Sequence, residues 1–226
     1  METMKQIMYG VTDFARIRAE NGYFVDRTAL IRELEKTSYT MFLRPRRFGK
    51  SLLCSILQCY YDIDYAGRFE EFFGGLDIGR EPTAERGKYL FIDFNFTGVE
   101  KRIDRVQDSF NEYCSERLDV FVERQAGRLP EGTTAAVLAK RTCHEKFNTL
   151  TMRLKGSGLA LYITIDEYDN FTNTILAESR ESYEALCHGD GFFKQFFNEL
   201  KLATTGTDAP VTRLFVTGVT PVTMDD

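Results

Sequence analysis

Four short apolar runs mark the hydrophobic pattern of the chain, and longer amphipathic stretches separate them. The runs span residues 39–43 (YTMFL), 88–96 (KYLFIDFNF), 159–170 (LALYITIDEYDN) and 211–221 (VTRLFVTGVTP). Their length and their content of β-branched and aromatic residues predict β-strands. Before its acidic end the third run is almost continuously hydrophobic, which is typical of a parallel strand buried on both faces.

The stretches between these runs predict helices. Apolar residues at helical spacing cover about 100–124, 134–155, 179–186 and 192–202, whereas 171–173 is predicted to be a loop. Strands that alternate with helices in this way predict an α/β protein built on a parallel sheet.

The helix predicted at 192–202 carries five large apolar side chains on one wide face: Phe192, Phe193, Phe196, Phe197 and Leu200. A face of this kind usually packs in a core. The alternative is a surface that binds a protein partner or a second copy of the chain. The pattern alone leaves both interpretations open.

A basic loop follows the first predicted strand and precedes a predicted helix. It reads RPRRFGKS and ends in Gly49, Lys50 and Ser51, as does the phosphate-binding pattern G-x-x-x-x-G-K-[ST]. Arg44 stands where that pattern has its first glycine. Pro45 favours an extended conformation for Arg44, which suits the last residue of a strand. The alternative is a basic turn before an amphipathic helix.

The chemistry of this loop suits ATP or ADP. Phosphates need converging backbone N–H groups and the positive end of a helix dipole. Lys50 would reach the β- and γ-phosphates, and the Ser51 hydroxyl would be a Mg²⁺ ligand. The residues that we predict to bind nucleotide are Arg46, Arg47, Phe48, Gly49, Lys50, Ser51 and Leu52.

Two adjacent acids end the third predicted strand, at the edge of the sheet where α/β proteins bind ligands. Asp166 would hold Mg²⁺, and Glu167 would act as the general base toward water. Asp169 would cap the next turn or orient the site. The alternative is a strand that simply ends in a polar turn, but the loop and the acids in this order favour nucleotide binding.

Two threonines at the end of the last strand are candidates for contact with the γ-phosphate. They are Thr217 and Thr220, and we assign the contact to Thr217. An ordinary strand terminus remains the alternative. The segment before the first strand, residues 1–38, either packs on the sheet edge or covers the adenine.

Composition narrows the class of protein. The net charge of −5 over 226 residues argues against a broadly basic surface, so we expect nucleic acid to be contacted at most indirectly. The five cysteines form no C-x-x-C pair and the two histidines complete no metal-ligand spacing. No apolar run approaches membrane-spanning length. We therefore expect a cytoplasmic protein with reduced thiols and no membrane partner.

Four stretches together resemble the AAA-ATPase-like domain of bacterial and archaeal P-loop proteins: FVDRTALIRELEK, FLRPRRFGKSLL, ITIDEYDN and VTGVTPV. The resemblance covers nearly the whole chain, and Arg44 in place of glycine is usual in that family. It implies a three-layer α/β/α P-loop NTPase with a mainly parallel sheet of about five strands in the order 5-1-4-3-2. It also implies binding of ATP and Mg²⁺ by Lys50, Ser51, Asp166 and Glu167.

The resemblance also implies a domain organisation. Residues 39–226 would form the ATPase domain, with 1–38 as a lead-in. Family members often carry a C-terminal nuclease domain of the PD-(D/E)XK type. The sequence ends at Asp226, just after the last predicted strand, so we expect neither that domain nor lid helices.

Three functions fit these predictions. The first is a Mg²⁺-dependent ATPase whose turnover drives a change of conformation or assembly, and the Asp166–Glu167 pair favours it. The second is a nucleotide-controlled switch or interaction module that hydrolyses little. The third, a phosphotransferase, fits less well because a Glu directly after the Asp suits the activation of water.

Overall fold

Four parallel strands form one sheet in this computed structural model, which describes residues 4–189 and 191–222. The strands are β1 (Tyr39–Leu43), β2 (Leu90–Asn95), β3 (Leu161–Asp166) and β4 (Val211–Gly218). They lie in the order β1-β4-β3-β2, and each neighbouring pair is parallel. The α/β class is confirmed. The predicted domain bounds 1–38 and 39–226 include residues 1–3, 190 and 223–226, which lie outside the described range.

The prediction of about five strands in the order 5-1-4-3-2 is wrong for the described residues. They contain four strands, and β1 lies at an edge of the sheet rather than inside it. The hydrophobic pattern contains only four apolar runs, and the fifth strand came from the resemblance alone. The order of the four observed strands agrees with the rest of the expected order.

Helices cover both faces of the sheet, as the α/β class requires. The α-helices of the described residues are α1 (Phe14–Ala19), α2 (Leu30–Leu34), α3 (Lys50–Tyr61), α4 (Phe69–Phe73), α5 (Asp77–Arg80), α6 (Val106–Arg124), α7 (Thr133–Leu138), α8 (Cys143–Leu154), α9 (Asn170–Glu178), α10 (Arg180–Cys187) and α11 (Phe192–Ala203). Short 3-10 helices span Ile63–Arg68 and Phe96–Gly98.

Side-chain alternation along the strands divides the core into two clusters. Phe91, Tyr162 and Phe215 point to the face that α3 covers and pack with its buried residues. Their neighbours, such as Ile163, point to the opposite face, which α6, α8 and α11 cover. Each buried side chain of this size contributes roughly 1.5–3 kcal/mol. The alternation also fixes which polar residues near the strand ends face α3.

The aromatic face of α11 packs in the core, as such a face usually does, and the alternative that it binds a partner is wrong. Phe193, Phe196 and Leu200 are at most 4% exposed. The ring of Phe196 packs edge-on against Phe110 of α6 and Phe94 of β2, with centroids 5.2 Å and 5.7 Å away. Helical spacing identifies the apolar face but does not show what covers it.

Two boundaries also differ from prediction. The helix predicted over 134–155 is two helices, because Thr142 begins α8 with a capping box that Glu145 completes. The loop predicted at 171–173 lies inside α9, which begins at Asn170 directly after the acidic strand end. The residues around this helix start are polar, so the sequence pattern predicted a loop there.

The segment before β1 packs against α3 and α4. Phe14 of α1 is fully buried, and its ring centroid lies 5.3 Å from that of Phe73. The Phe14 N–H donates to the Ser55 hydroxyl of α3 at 2.9 Å. These contacts hold the lead-in beside the loop that joins β1 to α3.

Candidate nucleotide-binding site

The loop between β1 and α3 presents a row of free backbone donors. Among the described residues, none of the N–H groups from Arg46 to Leu52 has a hydrogen-bond acceptor in the protein. Gly49 is the residue before α3 and has φ of +77°, a conformation that residues with a Cβ adopt only under strain. Arg47 has φ of +68° as well. Free N–H groups at the start of a 12-residue helix are a binding site for an anion.

Lys50 is the first residue of α3, and its side chain is only 3% exposed. Its ammonium lies 3.4 Å from the Pro45 carbonyl oxygen and 3.3 Å from a Glu167 carboxylate oxygen. The side chain therefore folds back under the loop, at the end of β3. Arg46, Arg47 and Phe48, in contrast, are exposed.

Asp166, the last residue of β3, is 1% exposed and lies beside the start of α3. Its carboxylate accepts hydrogen bonds from the Asn95 amide at 3.2 Å and from the Glu167 N–H at 3.0 Å, and it lines the same small pocket as the Ser51 hydroxyl. Burial raises the pKa of Asp166, the nearby Ser51 hydroxyl opposes this, and the negative charges of Glu167 and Asp93 add to it. A buried carboxylate of this kind favours a nearby cation.

A second pair of polar side chains lies on the same face of the sheet. The Thr164 hydroxyl donates to the Asp93 carboxylate at 2.6 Å, and burial raises the pKa of Asp93. Asp93, Asn95 and Thr164 are not among the site residues predicted from the sequence. Their signal was period-two spacing: Asp93 and Asn95 on β2, and Thr164 and Asp166 on β3, are each two residues apart.

The side chains around Ser51 fit a magnesium ion that arrives with a nucleotide. The described residues contain no cluster of three or more His, Cys, Asp or Glu placed to enclose a metal. Magnesium, however, is usually held by one or two carboxylates together with substrate phosphates and water. The Ser51 hydroxyl and the Asp166 carboxylate are oxygen ligands of the kind it prefers.

Glu167 turns the chain sharply as it leaves the sheet. Its φ of +53° is uncommon for a residue with a long side chain. In this conformation Asp166 and Glu167 point to different places: Asp166 stays buried, while the Glu167 side chain is 21% exposed beside Lys50. Left-handed backbone at a non-glycine residue often accompanies function.

The next two residues, Tyr168 and Asp169, hold the segment that follows β4. The Tyr168 hydroxyl donates to the Thr220 carbonyl oxygen and accepts from the Val222 N–H, both at 2.8 Å. The Asp169 carboxylate accepts from the N–H groups of Val219 at 3.1 Å and Thr220 at 2.7 Å. The expected role of Asp169 as a cap is wrong, because its side chain makes no capping hydrogen bond to α9.

Thr217 and Thr220 have different surroundings. The Thr220 hydroxyl donates to the Asp169 carboxylate at 2.8 Å, so it serves the structure of this segment. The Thr217 hydroxyl is buried and is without a hydrogen-bond partner among the described residues. Thr217 lies two residues after Phe215 and so faces α3 as Phe215 does. A buried hydroxyl without a partner on this face is free to contact a ligand.

A comparison with protein families places this geometry in context. A family model described as a predicted AAA-ATPase matches residues 8–226. The chain belongs to the AAA-ATPase-like family. Neither a curated protein nor a solved structure gives a match. Membership supports nucleotide binding and a general ATPase-like role.

The structure brings most of the predicted site residues of this AAA-ATPase-like chain to one edge of the sheet. Lys50, Ser51, Asp166 and Glu167 meet there, and Thr217 is the last residue but one of the neighbouring strand β4. Arg46 and Phe48 border this group from the exposed loop. In the described part of the chain, no helix is long and apolar enough to cross a membrane.

Proposed function

We propose that this AAA-ATPase-like chain binds ATP with Mg²⁺ and hydrolyses it to ADP and phosphate, and that the nucleotide state changes its conformation or assembly. The observation that carries the proposal is the convergence of Lys50 and Glu167, 3.3 Å apart, at the end of β3 beside the free N–H groups of the loop. A lysine for phosphates and a carboxylate for water are the two charges that hydrolysis needs.

Binding rests on the loop. The N–H groups from Arg46 to Leu52 cradle the phosphates, and the Lys50 ammonium neutralises the charge on the β- and γ-phosphates. Ser51 and Asp166 hold Mg²⁺, which, when bound, stabilises negative charge on the phosphate oxygens. The Thr217 hydroxyl contacts the γ-phosphate.

Hydrolysis rests on Glu167. Its carboxylate takes a proton from a water molecule as the water oxygen bonds to the γ-phosphorus and the bond to the bridging oxygen of ADP breaks. Water reaches Glu167 because the residue lines an open cleft of about 480 Å³ that Arg46 also borders. A positioned base of this kind contributes about 10²–10⁴-fold to the rate.

A nucleotide-controlled switch with little hydrolysis is the second candidate. The ion pair between Lys50 and Glu167 favours it, because a carboxylate paired with an ammonium is a weaker base toward water. The buried aromatic face of α11 no longer offers this switch a surface for partners. A protein partner of the switch would have to bind a surface other than the α11 face. Assembly of the ATPase would also need another surface. For either candidate we propose a cytoplasmic location, which suits five free cysteines.

A thermal melt with and without Mg²⁺-ATP tests binding. Ligand at 100 times its dissociation constant adds about 2.7 kcal/mol of stability. For a domain of this size that raises the melting temperature by about 5–10 °C. We expect this rise in the parent and its loss in Lys50→Ala, because the alanine variant lacks the charge that binds the phosphates.

Lys146→Ala is the matched control. Lys146 is also a buried lysine in an ion pair, with Asp119, but it lies on α8 on the other face of the sheet. The control should lower the melting temperature and keep the ATP-induced rise. Absence of a rise in the parent would refute nucleotide binding. A rise without release of phosphate would favour the switch.

A further inference from the structure

Two of the five cysteines, Cys114 and Cys143, form a pair between α6 and α8. Cys143 is the first residue of α8, and its N–H donates to the side-chain oxygen of Asn111 on α6 at 2.7 Å. Asn111 and Cys114 are three residues apart on α6, so they lie on the same face of that helix. The hydrogen bond therefore holds Cys143 against the part of α6 that carries Cys114. Both residues have free thiols.

The two thiols are close enough for each to change the pKa of the other. The Cys114 thiol lowers the pKa of Cys143, and the His144 N–H acts in the same direction, although burial opposes them. Burial raises the pKa of Cys114 well above its usual range, and the Cys143 thiol adds to this. Cys143 is thus the member of the pair that more readily forms a thiolate.

A cavity of about 370 Å³ gives small molecules access to Cys143. It lies between α6, α8 and α11, and the exposed residues Gln107 and His144 line it together with Cys143. Cys114 is fully buried and is not among the described residues that line the cavity. A reagent that enters the cavity therefore meets Cys143 first, with Cys114 buried beside it.

The other three cysteines have the properties of inert buried thiols. Burial raises the pKa of Cys54 well above its usual range, that of Cys59 to about 12 and that of Cys187 to about 11. A thiol whose pKa is raised in this way stays protonated and reacts slowly, because the thiolate is the nucleophile. Cys143 is the cysteine that combines a neighbouring thiol, a lowered pKa and a place in the wall of a cavity.

We propose that Cys114 and Cys143 form a reversible disulfide bond when a hydroperoxide enters this cavity, and that Cys143 is oxidised first. Neither cysteine belongs to the nucleotide site, so this modification site is independent of the proposed function.

The oxidation has two steps. In the first, the Cys143 thiolate sulfur attacks the terminal peroxide oxygen, the O–O bond breaks, and the departing alkoxide or hydroxide takes up the proton that the thiol released. In the second, the Cys114 sulfur attacks the sulfenic sulfur of Cys143, the S–O bond breaks, and hydroxide leaves as water with the proton of Cys114. Two thiols are oxidised to a disulfide, and one peroxide is reduced to an alcohol, or to water, with release of water.

Peptide mapping of the full chain tests the proposal. The parent is treated with hydrogen peroxide, its remaining thiols are blocked with iodoacetamide, and a tryptic digest is analysed by mass spectrometry with and without dithiothreitol. We expect one linked pair of peptides, one with Cys114 and the other with Cys143, which dithiothreitol separates. The other three cysteines should carry the blocking group, as in the untreated protein.

Two variants test the order of the steps. Cys114→Ala lacks the second thiol, so dimedone, which reacts with sulfenic acids, should label Cys143 after peroxide treatment. Cys143→Ala should leave Cys114 unlabelled, because peroxide in the cavity does not reach the buried thiol. Cys187→Ala is the matched control, since it removes a buried cysteine of α10, and it should form the disulfide as the parent does.

The map of the parent decides whether the disulfide exists and does not depend on how well a variant folds. A treated parent in which Cys114 and Cys143 both carry the blocking group would overturn the proposal. So would a linked pair of peptides that joins either residue to a different cysteine. Dimedone on Cys114 in Cys143→Ala would overturn the assignment of Cys143 as the residue that is oxidised first.

Discussion

The Lys50 ammonium lies 3.3 Å from a carboxylate oxygen of Glu167, and the two side chains are 3% and 21% exposed. The pair joins the residue proposed to bind phosphate to the residue proposed to activate water. A triphosphate offers Lys50 more negative charge than one carboxylate does. We therefore expect nucleotide binding to transfer Lys50 from Glu167 to the phosphates, and Glu167 to become free to act as a base.

Glu167→Gln tests this arrangement. We expect the variant to bind ATP at least as tightly as the parent, because a neutral amide competes less for Lys50. Phosphate release should fall by about 10²–10⁴-fold through loss of the base. Calorimetry and a phosphate-release assay measure the two quantities. Glu181→Gln, an exposed substitution on α10, is the control and should change neither. Release at the parental rate in Glu167→Gln would exclude Glu167 as the base.

Asp169→Ala should destabilise the protein by about 2–4 kcal/mol, because it leaves partly buried N–H groups of the 219–220 segment without acceptors. Burial favours the neutral acid, but hydrogen bonds from Thr220, Val219 and Asn173 outweigh it and lower the pKa of Asp169. The stabilising contribution is thus present above about pH 4 and is lost as the pH falls through the lowered pKa. Urea unfolding at pH 7 and pH 3 measures both effects.

The control for this prediction is Asp208→Ala, which removes an exposed carboxylate from the loop before β4. It should change the free energy of unfolding by less than about 0.5 kcal/mol. If Asp169→Ala were equally mild, the hydrogen bonds to Val219 and Thr220 would not hold the segment in place.

Gly218→Ala should cost about 1–3 kcal/mol through steric overlap. A Cβ at this position would lie 2.4 Å from an Asp169 carboxylate oxygen and 2.5 Å from a ring carbon of Tyr168. Gly127→Ala is the matched control, because no protein atom of the described structure lies within 4 Å of a Cβ built there. The difference in denaturation midpoint between the two variants measures the overlap. Equal midpoints would show that Tyr168 and Asp169 move to accommodate the Cβ at no cost in stability, which would contradict the prediction.

Asp62→Asn should change how stability depends on pH. Burial raises the pKa of Asp62 to about 6, although the Asp64 N–H and Arg124 favour the charged form. In the parent this group binds more protons when folded than when unfolded between about pH 4 and pH 6. It therefore removes about 2–3 kcal/mol of stability as the pH rises across that range.

The amide variant does not titrate, so its stability relative to the parent should grow from pH 4 to pH 7. Urea unfolding at pH 4, 5.5 and 7 measures this, with Asp208→Asn as the exposed control. A constant difference between Asp62→Asn and the parent across the three pH values would contradict the raised pKa.

The spacing of apolar residues along the chain predicted the elements that depend on interactions between residues close in sequence. The strand at 39–43 and the helix start at Lys50 agree with the structure, because each depends on short-range periodicity and on one glycine with positive φ. The fifth strand was wrong, as was the alternative interpretation of the α11 face as a partner surface. Both depend on what lies against an element in space, and short-range pattern does not contain that information.

The candidate site divides in the same way. Lys50 and Asp166 could be predicted from sequence because each lies within a recognisable run of residues. Asn95 was passed over, since its contact with Asp166 joins residues that are distant in sequence and meet only through the pairing of β2 with β3. The part of Asp169 in holding the 219–220 segment was missed because that segment follows β4, which lies three helices further along the chain.

The place of β1 at the edge of the sheet bears on how the site moves. Within the described residues β1 is hydrogen-bonded to β4 alone, so half of its amides face away from any strand. The loop between β1 and α3 is thus attached to the least protected strand, which can open locally while β3 and β4 stay paired. Amide hydrogens of 39–43 should exchange with solvent faster than those of 161–166. A nucleotide that binds the loop should slow exchange first in this strand.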